Sequence, residues 1–154
     1  MAASASDPLD PAASYRAIEN LITTYAELVD DGDFAGLGAL LADAAFTGGG
    51  SSVNGPEAIE RMFRAMVIVY DDGTPRTKHV TTNIAIEVNE EAGTAVSRAY
   101  FTVLQAVPGL ALQPVAAGRY RDRFERAGPR WRFSERQVQV DLTGDVSRHL
   151  RRAP

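Results

Sequence analysis

The spacing of apolar residues changes character once along this chain, at Asp72-Gly73, and that single change restricts the folds open to it. Ahead of it, apolar residues recur every three or four positions; after it, they alternate with polar ones. Ile18, Leu21, Ile22, Tyr25 and Val29 predict an amphipathic helix over 14–30 that stops before Gly32. Asp33 is placed to cap a second helix over 34–41, which turns Phe34, Leu37, Leu40 and Leu41 to the core. A Gly/Ser loop over 48–52 follows Phe46. A third helix starts at Gly55-Pro56-Glu57, where proline suits the first turn and the glutamate complements the dipole, with Ile59, Met62, Phe63, Met66 and Val67 as its buried stripe. Strands are predicted over 78–89, 94–107, 114–126 and 130–142, separated by Asn89 to Gly93, by Pro108-Gly109 and by Ala127-Gly128-Pro129. Helices first and an antiparallel meander afterwards give an α+β domain, with the helices packed in the concave face of a strongly curved, mainly antiparallel sheet.

With 154 residues, 45% of them hydrophobic, the chain has material for one well-buried domain, read as residues 14–142. Residues 1–13, rich in Ala, Ser, Asp and Pro, read as a flexible lead in which Pro8 and Pro11 break any helix, and 143–154 as a flexible tail that carries His149 among arginines. A formal charge of −4 offers no footprint for nucleic acid or an anionic membrane, so small molecules or protein partners are expected. The absence of cysteine excludes disulfides and thiolate chemistry. With a start that is neither basic nor long and apolar, the expectation is a soluble cytoplasmic protein. No dinucleotide or Walker motif occurs, no serine stands in a nucleophile elbow, and two distant histidines are too few donors for a transition metal. Neither cofactor nor metal is expected.

Asp30, where the first helix runs out, and His79, in Lys78-His79-Val80-Thr81-Thr82-Asn83, are the pair that suggests chemistry. A carboxylate that orients an imidazole makes a general base that works near neutral pH. The plain alternatives are a helix-stop aspartate and a strand-start histidine satisfied by backbone. Alternation sets Val80, Thr82, Ile84, Ile86 and Val88 on one face and His79 on the other. Either that second face lines a partly polar cavity, or a bulge between His79 and Ile84 changes the phase.

The order of elements resembles the SnoaL-like group of the nuclear-transport-factor-like cone fold over about residues 14–142. The segments that carry it are Tyr25-Ala-Glu-Leu-Val-Asp-Asp-Gly-Asp33, Leu40-Leu-Ala-Asp-Ala-Ala-Phe46, Gly55-Pro-Glu-Ala-Ile59, His79-Val-Thr-Thr-Asn83, Gly118-Arg-Tyr-Arg-Asp-Arg-Phe124 and Trp131-Arg-Phe-Ser-Glu-Arg136. The resemblance implies a cone-shaped α+β barrel. It places Asp30 and His79 where the scytalone dehydratase and lindane dehydrochlorinase branch has its Asp–His dyad. Tyr25 aligns with a tyrosine that polarises an oxygen in ketosteroid isomerase, Phe46 with an aromatic pocket wall and Arg136 with an arginine that meets substrate or leaving group. For Tyr25 and Phe46 a core role is the alternative, and for Arg136 a solvated or ion-paired one. The acid that serves as base in the isomerase has no counterpart in Phe46-Thr47-Gly48-Gly49-Gly50, which argues against that mechanism here.

Two functions are therefore carried forward. The first is a cofactor-independent lyase, isomerase or cyclase acting through Asp30 and His79 on a small, largely apolar cyclic or polyketide-like molecule in an internal cavity. The second is a non-catalytic binding or assembly domain, like the small subunits of ring-hydroxylating dioxygenases; a filled interior favours it. The outer face of the meander, with Tyr100, Tyr120, Trp131 and Phe133 or their alternating neighbours, suggests a homodimer or homotrimer.

Overall fold

A computed structural model describes residues 10–154. Helix α1 spans Pro11–Asp30, α2 Phe34–Leu40 and α3 Pro56–Met66, with a short hairpin of β1 (Ala45–Gly48) and β2 (Ser51–Asn54) between the last two. Four long strands follow, β3 (Thr77–Asn89), β4 (Thr94–Val107), β5 (Leu110–Ala127) and β6 (Arg130–Thr143). They form one six-stranded sheet in the order β2-β1-β6-β5-β4-β3, antiparallel throughout except for the parallel pairing of β1 with β6. The α+β class and the meander agree with the sequence reading.

The differences have local causes. Helix α1 begins three residues earlier than expected, because Pro11 occupies the first turn, where a missing N–H costs nothing, and Asp10 caps it by accepting from the Ala12 N–H at 3.0 Å. The part of the expected lead before residue 10 lies outside the described residues. Asp33 caps α2 as predicted, accepting from the Gly36 N–H at 2.8 Å. The Gly/Ser segment is a hairpin rather than a plain loop: Gly49 and Gly50 turn the chain, Phe46 pairs with Val53, and β1 adds to β6. In α3, Ile59 and Phe63 are buried, whereas Met66 at its end is exposed.

Along β4, Ala95, Ser97, Ala99, Phe101, Val103 and Gln105 all face inward, and Tyr120, Asp122 and Phe124 of β5 stand beside them. Three of the four aromatics expected on the outer face are thus core residues: Tyr120, Trp131 and Phe133 are buried, and only Tyr100 is exposed. Their alternating neighbours on the outside are largely arginines, so the apolar surface on which self-association was expected shrinks to residues such as Val96, Tyr100, Val140 and Leu142. Trp131 donates its indole N–H to Ser14 Oγ at 3.2 Å and so ties the start of β6 to the start of α1.

The expected tail is also ordered. After β6, Val146, His149 and Leu150 are drawn against the core, Leu150 forms a bridge with Val67, and the Ile68 N–H donates to the His149 carbonyl at 2.9 Å. The Gln105 side chain donates to the carbonyls of Pro75 and Arg148, at 3.0 and 2.9 Å. Three- and four-residue spacing of Val146, His149 and Leu150 is what packs, and the surrounding arginines disguise it.

Gly118 sits where β5 packs tightly against its neighbours. A Cβ there would lie 2.0 Å from the Gln139 carbonyl oxygen and 2.9 Å from the Phe101 ring. Gly118→Ala is expected to destabilise the fold by about 3 kcal/mol, the upper end of ordinary overpacking, read as a lower urea midpoint at unchanged slope. An unchanged midpoint would contradict this packing.

Candidate active site

Asp30 ends α1 with its carboxylate turned into the first residues of β3. The Thr77 hydroxyl donates to Oδ1 at 2.8 Å, the His79 backbone N–H donates to Oδ2 at 2.8 Å, and His79 Nδ1 stands 2.6 Å from Oδ1. Both side chains are largely shielded, with 9% of His79 and 7% of Asp30 exposed. Burial by itself would raise the carboxyl's pKa, but the bonds and charge of His79 and the Thr77 hydroxyl outweigh it and hold Asp30 below the usual carboxylate value. With Nδ1 engaged by an ionised carboxylate, the tautomer is fixed with its proton on Nδ1, which leaves Nε2 as the basic nitrogen.

A bulge brings His79 inward. Pairing between β3 and β4 slips between Thr82 and Ala85, and Asn83 takes φ +53°, a left-handed conformation that asparagine tolerates better than most residues. Before the bulge Thr77, His79 and Thr81 face the helices and Val80 is exposed; after it Ile84, Ile86 and Val88 do. Of the two arrangements left open by the sequence, the phase change is the one present.

Tyr25 and Arg136 meet in a second polar cluster, separated from Asp30 along α1 by five residues, or about 7.5 Å of rise. Arg136 is fully buried and grips Asp122 with both arms, Nε to Oδ1 at 2.8 Å and Nη2 to Oδ2 at 2.9 Å. Its guanidinium carbon lies 4.1 Å from the Tyr25 ring centroid and 3.9 Å from that of Tyr120, whose ring stacks on Phe101 at 4.6 Å. Burial would lower the arginine's pKa, yet the Asp122 charge and bonds raise it. Burial likewise pushes the Tyr25 hydroxyl up to about 12, with only partial relief from Arg136, so it remains a neutral donor. Arg136 is thus ion-paired in the core, with Nη1 unpartnered among the described residues.

Phe46 stands opposite Arg136 in the β1–β6 register, but its ring packs edge-on against Phe63 of α3, 5.5 Å between centroids, and belongs to the core. Asp122 and His149 are the residues that sequence reasoning passed over. Asp122 could have been found from its place in the inward row Tyr120, Asp122, Phe124, where an acid needs a cation. His149 lies with its ring centroid 6.2 Å from that of His79, edge to face, and is itself buried. Burial first, and then the neighbouring His79, press its pKa down to about 4, against a weaker opposite pull from Asp30. Among the described residues no group of three or more His, Cys, Asp or Glu stands together to hold a metal ion, and no helix is long and apolar enough to cross a membrane.

The family model described as a SnoaL-like domain matches residues 10–137. No curated protein matches the chain. The similar solved structures include the following three from Novosphingobium aromaticivorans. One, named by inference a scytalone dehydratase, is 22% identical, with 87% of this chain and 88% of that one covered and a TM-score of 0.69. An NTF2-like protein with a cystatin-like fold is 21% identical, with 94% and 97% covered and a TM-score of 0.69. The beta subunit of an aromatic-ring-hydroxylating dioxygenase, also so named by inference, is 17% identical, with 85% and 91% covered and a TM-score of 0.67. These likenesses establish the shared fold.

The lowered pKa values of His149 and Asp30 predict an acid limb of stability. His149 holds its proton less tightly folded than unfolded, so its contribution is complete above about pH 6.5 and is lost as pH falls towards 4. The difference between 6.5 and about 4 corresponds to roughly 3 kcal/mol. Asp30, also depressed, adds a further loss below the ordinary carboxylate range. Urea midpoints at pH 7, 5.5 and 4 are expected to fall steadily for the parent and to fall less between 7 and 4 for His149→Phe; parallel curves would contradict the burial of His149.

Proposed function

This chain belongs to the SnoaL-like domain family, and on that premise we propose that it is a cofactor-independent lyase, isomerase or cyclase whose general base is His79. The observation that carries this reading is the 2.6 Å contact between His79 Nδ1 and Asp30, inside a shielded site that leaves Nε2 for the substrate's proton. His79 takes a proton from carbon or oxygen; Asp30 holds the tautomer and stabilises the imidazolium; the charge left on substrate is spread onto an oxygen or expelled with a leaving group. Tyr25, neutral at any physiological pH, can donate to that oxygen. Arg136 contributes its positive charge from within the Asp122 pair, and Phe46 shapes the core beside it. The substrate fitting these groups is small, cyclic or polyketide-like and largely apolar. We place the protein in the cytoplasm, and its assembly as a dimer or trimer through the outer sheet face belongs to the same proposal.

A second reading, a binding or assembly domain without turnover, is favoured by one observation: Tyr25, Tyr120, Phe133, Asp122 and Arg136 fill the middle of the concave side.

A panel of hydroxylated, keto and halogenated ring compounds, followed by proton NMR for water loss, double-bond migration or ring closure, tests both. His79→Ala is expected to lower kcat/KM about 10²- to 10⁴-fold with the fold intact, and Asp30→Asn to lower it by less. Parental kcat in both variants, or a rate flat from about pH 5 to 8 with chemistry limiting, would overturn the general-base reading.

A further inference from the structure

The C-terminal segment brings into the dyad's neighbourhood a group that the reaction proposed above does not use. His149 is 6% exposed, its Nδ1 is buried with no hydrogen-bond partner among the described residues, and its ring meets that of His79 edge to face at 6.2 Å. Buried polar atoms in folded proteins nearly always have a partner, so an unpaired nitrogen beside a candidate base points to a ligand atom. The position is held firmly: the His149 N–H donates to the Val146 carbonyl at 3.0 Å, the His149 carbonyl accepts from Ile68, and the Arg151 N–H donates to the Met66 carbonyl at 3.0 Å. On the same inward side of β3, two residues beyond His79, Thr81 Oγ1 is buried and unpartnered as well.

We propose that His149 is a substrate-contacting residue which recognises a hydroxyl or carbonyl oxygen of an uncharged ring compound held at His79. The assignment rests on the dyad reading for the place of binding and deepens it by naming the substrate class. Two imidazoles 6.2 Å apart are close enough for one small oxygen group to reach both and too close for a ring to lie between them. The substrate's ring therefore lies across the pair, with its oxygen at the histidines. His149 is neutral near pH 7, which suits it to accept from a hydroxyl or donate to a carbonyl according to tautomer. An anionic group is disfavoured here, because the ionised Asp30 carboxylate stands next to His79.

Binding of 2-naphthol and of naphthalene, which differ by one hydroxyl, tests this without turnover. Fluorescence titration of the parent is expected to show 2-naphthol bound at least about tenfold more tightly than naphthalene, the effect of about one hydrogen bond to a buried group. His149→Phe is expected to bring the two within about twofold while naphthalene affinity stays near the parent's. With two histidines in the chain, His79→Ala assigns the imidazole nitrogen resonances, and in the parent 2-naphthol but not naphthalene is expected to shift those of His149. That spectrum decides the matter if His149→Phe does not fold. Failure of the parent to bind either probe, equal binding of both, a preference surviving in His149→Phe, or unmoved His149 resonances would each overturn the assignment. Loss of the hydroxyl preference in His149→Phe alongside full turnover in His79→Ala and Asp30→Asn would instead sink the dyad and leave His149's role standing.

Discussion

Three donors from the first turn of one strand close on a single carboxylate, and the rest of the site is arranged around that grip. Thr77, the His79 backbone and the His79 ring all reach Asp30, so the end of α1 is tied to the start of β3 by charge-assisted bonds. A carboxylate at a helix C-terminus sits against the helix dipole, which disfavours it there. Asp30 is nevertheless buried and held ionised, because the strand's donors supply more than the dipole takes away. The same bonds set the imidazole's orientation, so the contact that fastens helix to sheet also leaves Nε2 as the ring nitrogen turned away from Asp30.

The second polar centre obeys a different rule. Arg136 and Asp122 are wholly buried, and a pair of opposite charges in an apolar interior adds little net stability relative to hydrophobic residues of similar volume, while loss of one member is costly. Here the pair is bidentate and the cation is flanked by two tyrosine faces, which compensates much of the lost hydration. Its effect is to fix the bulge in β6 near Ser134, where pairing with β5 slips between Arg123 and Phe124 and turns Arg136 inward. Charge and curvature depend on each other at this point: without the slip Arg136 would face solvent, and without Asp122 the slip would bury a bare cation.

Much of this was legible in the sequence because it rests on short-range periodicity. The helices, the four long strands and the conflict of phase around His79 all follow from spacing, and Asn83 offered a residue suited to the bulge that resolves the conflict. The features that escaped depend on long-range pairing. Whether Tyr120, Trp131 and Phe133 face in or out is set by bulges that shift the alternation, and the β1–β2 hairpin gains stability from a parallel partner some ninety residues away. His149 was hidden by composition: a run with three arginines resembles a solvated tail, although Val146, His149 and Leu150 share one face.

That hidden residue alters how the site should be pictured. Asp30 ends α1 and His79 lies near the start of β3, and the C-terminal segment sets the His149 ring edge-on to that of His79. The segment is anchored by backbone bonds to residues 66 and 68. The position of His149 is therefore set independently of His79 and Asp30: loss of either leaves the segment's anchoring intact, and its imidazole stays where the fold puts it. A residue held in this way can change in chemistry without loss of the scaffold, and functions differ between proteins of one fold through such positions.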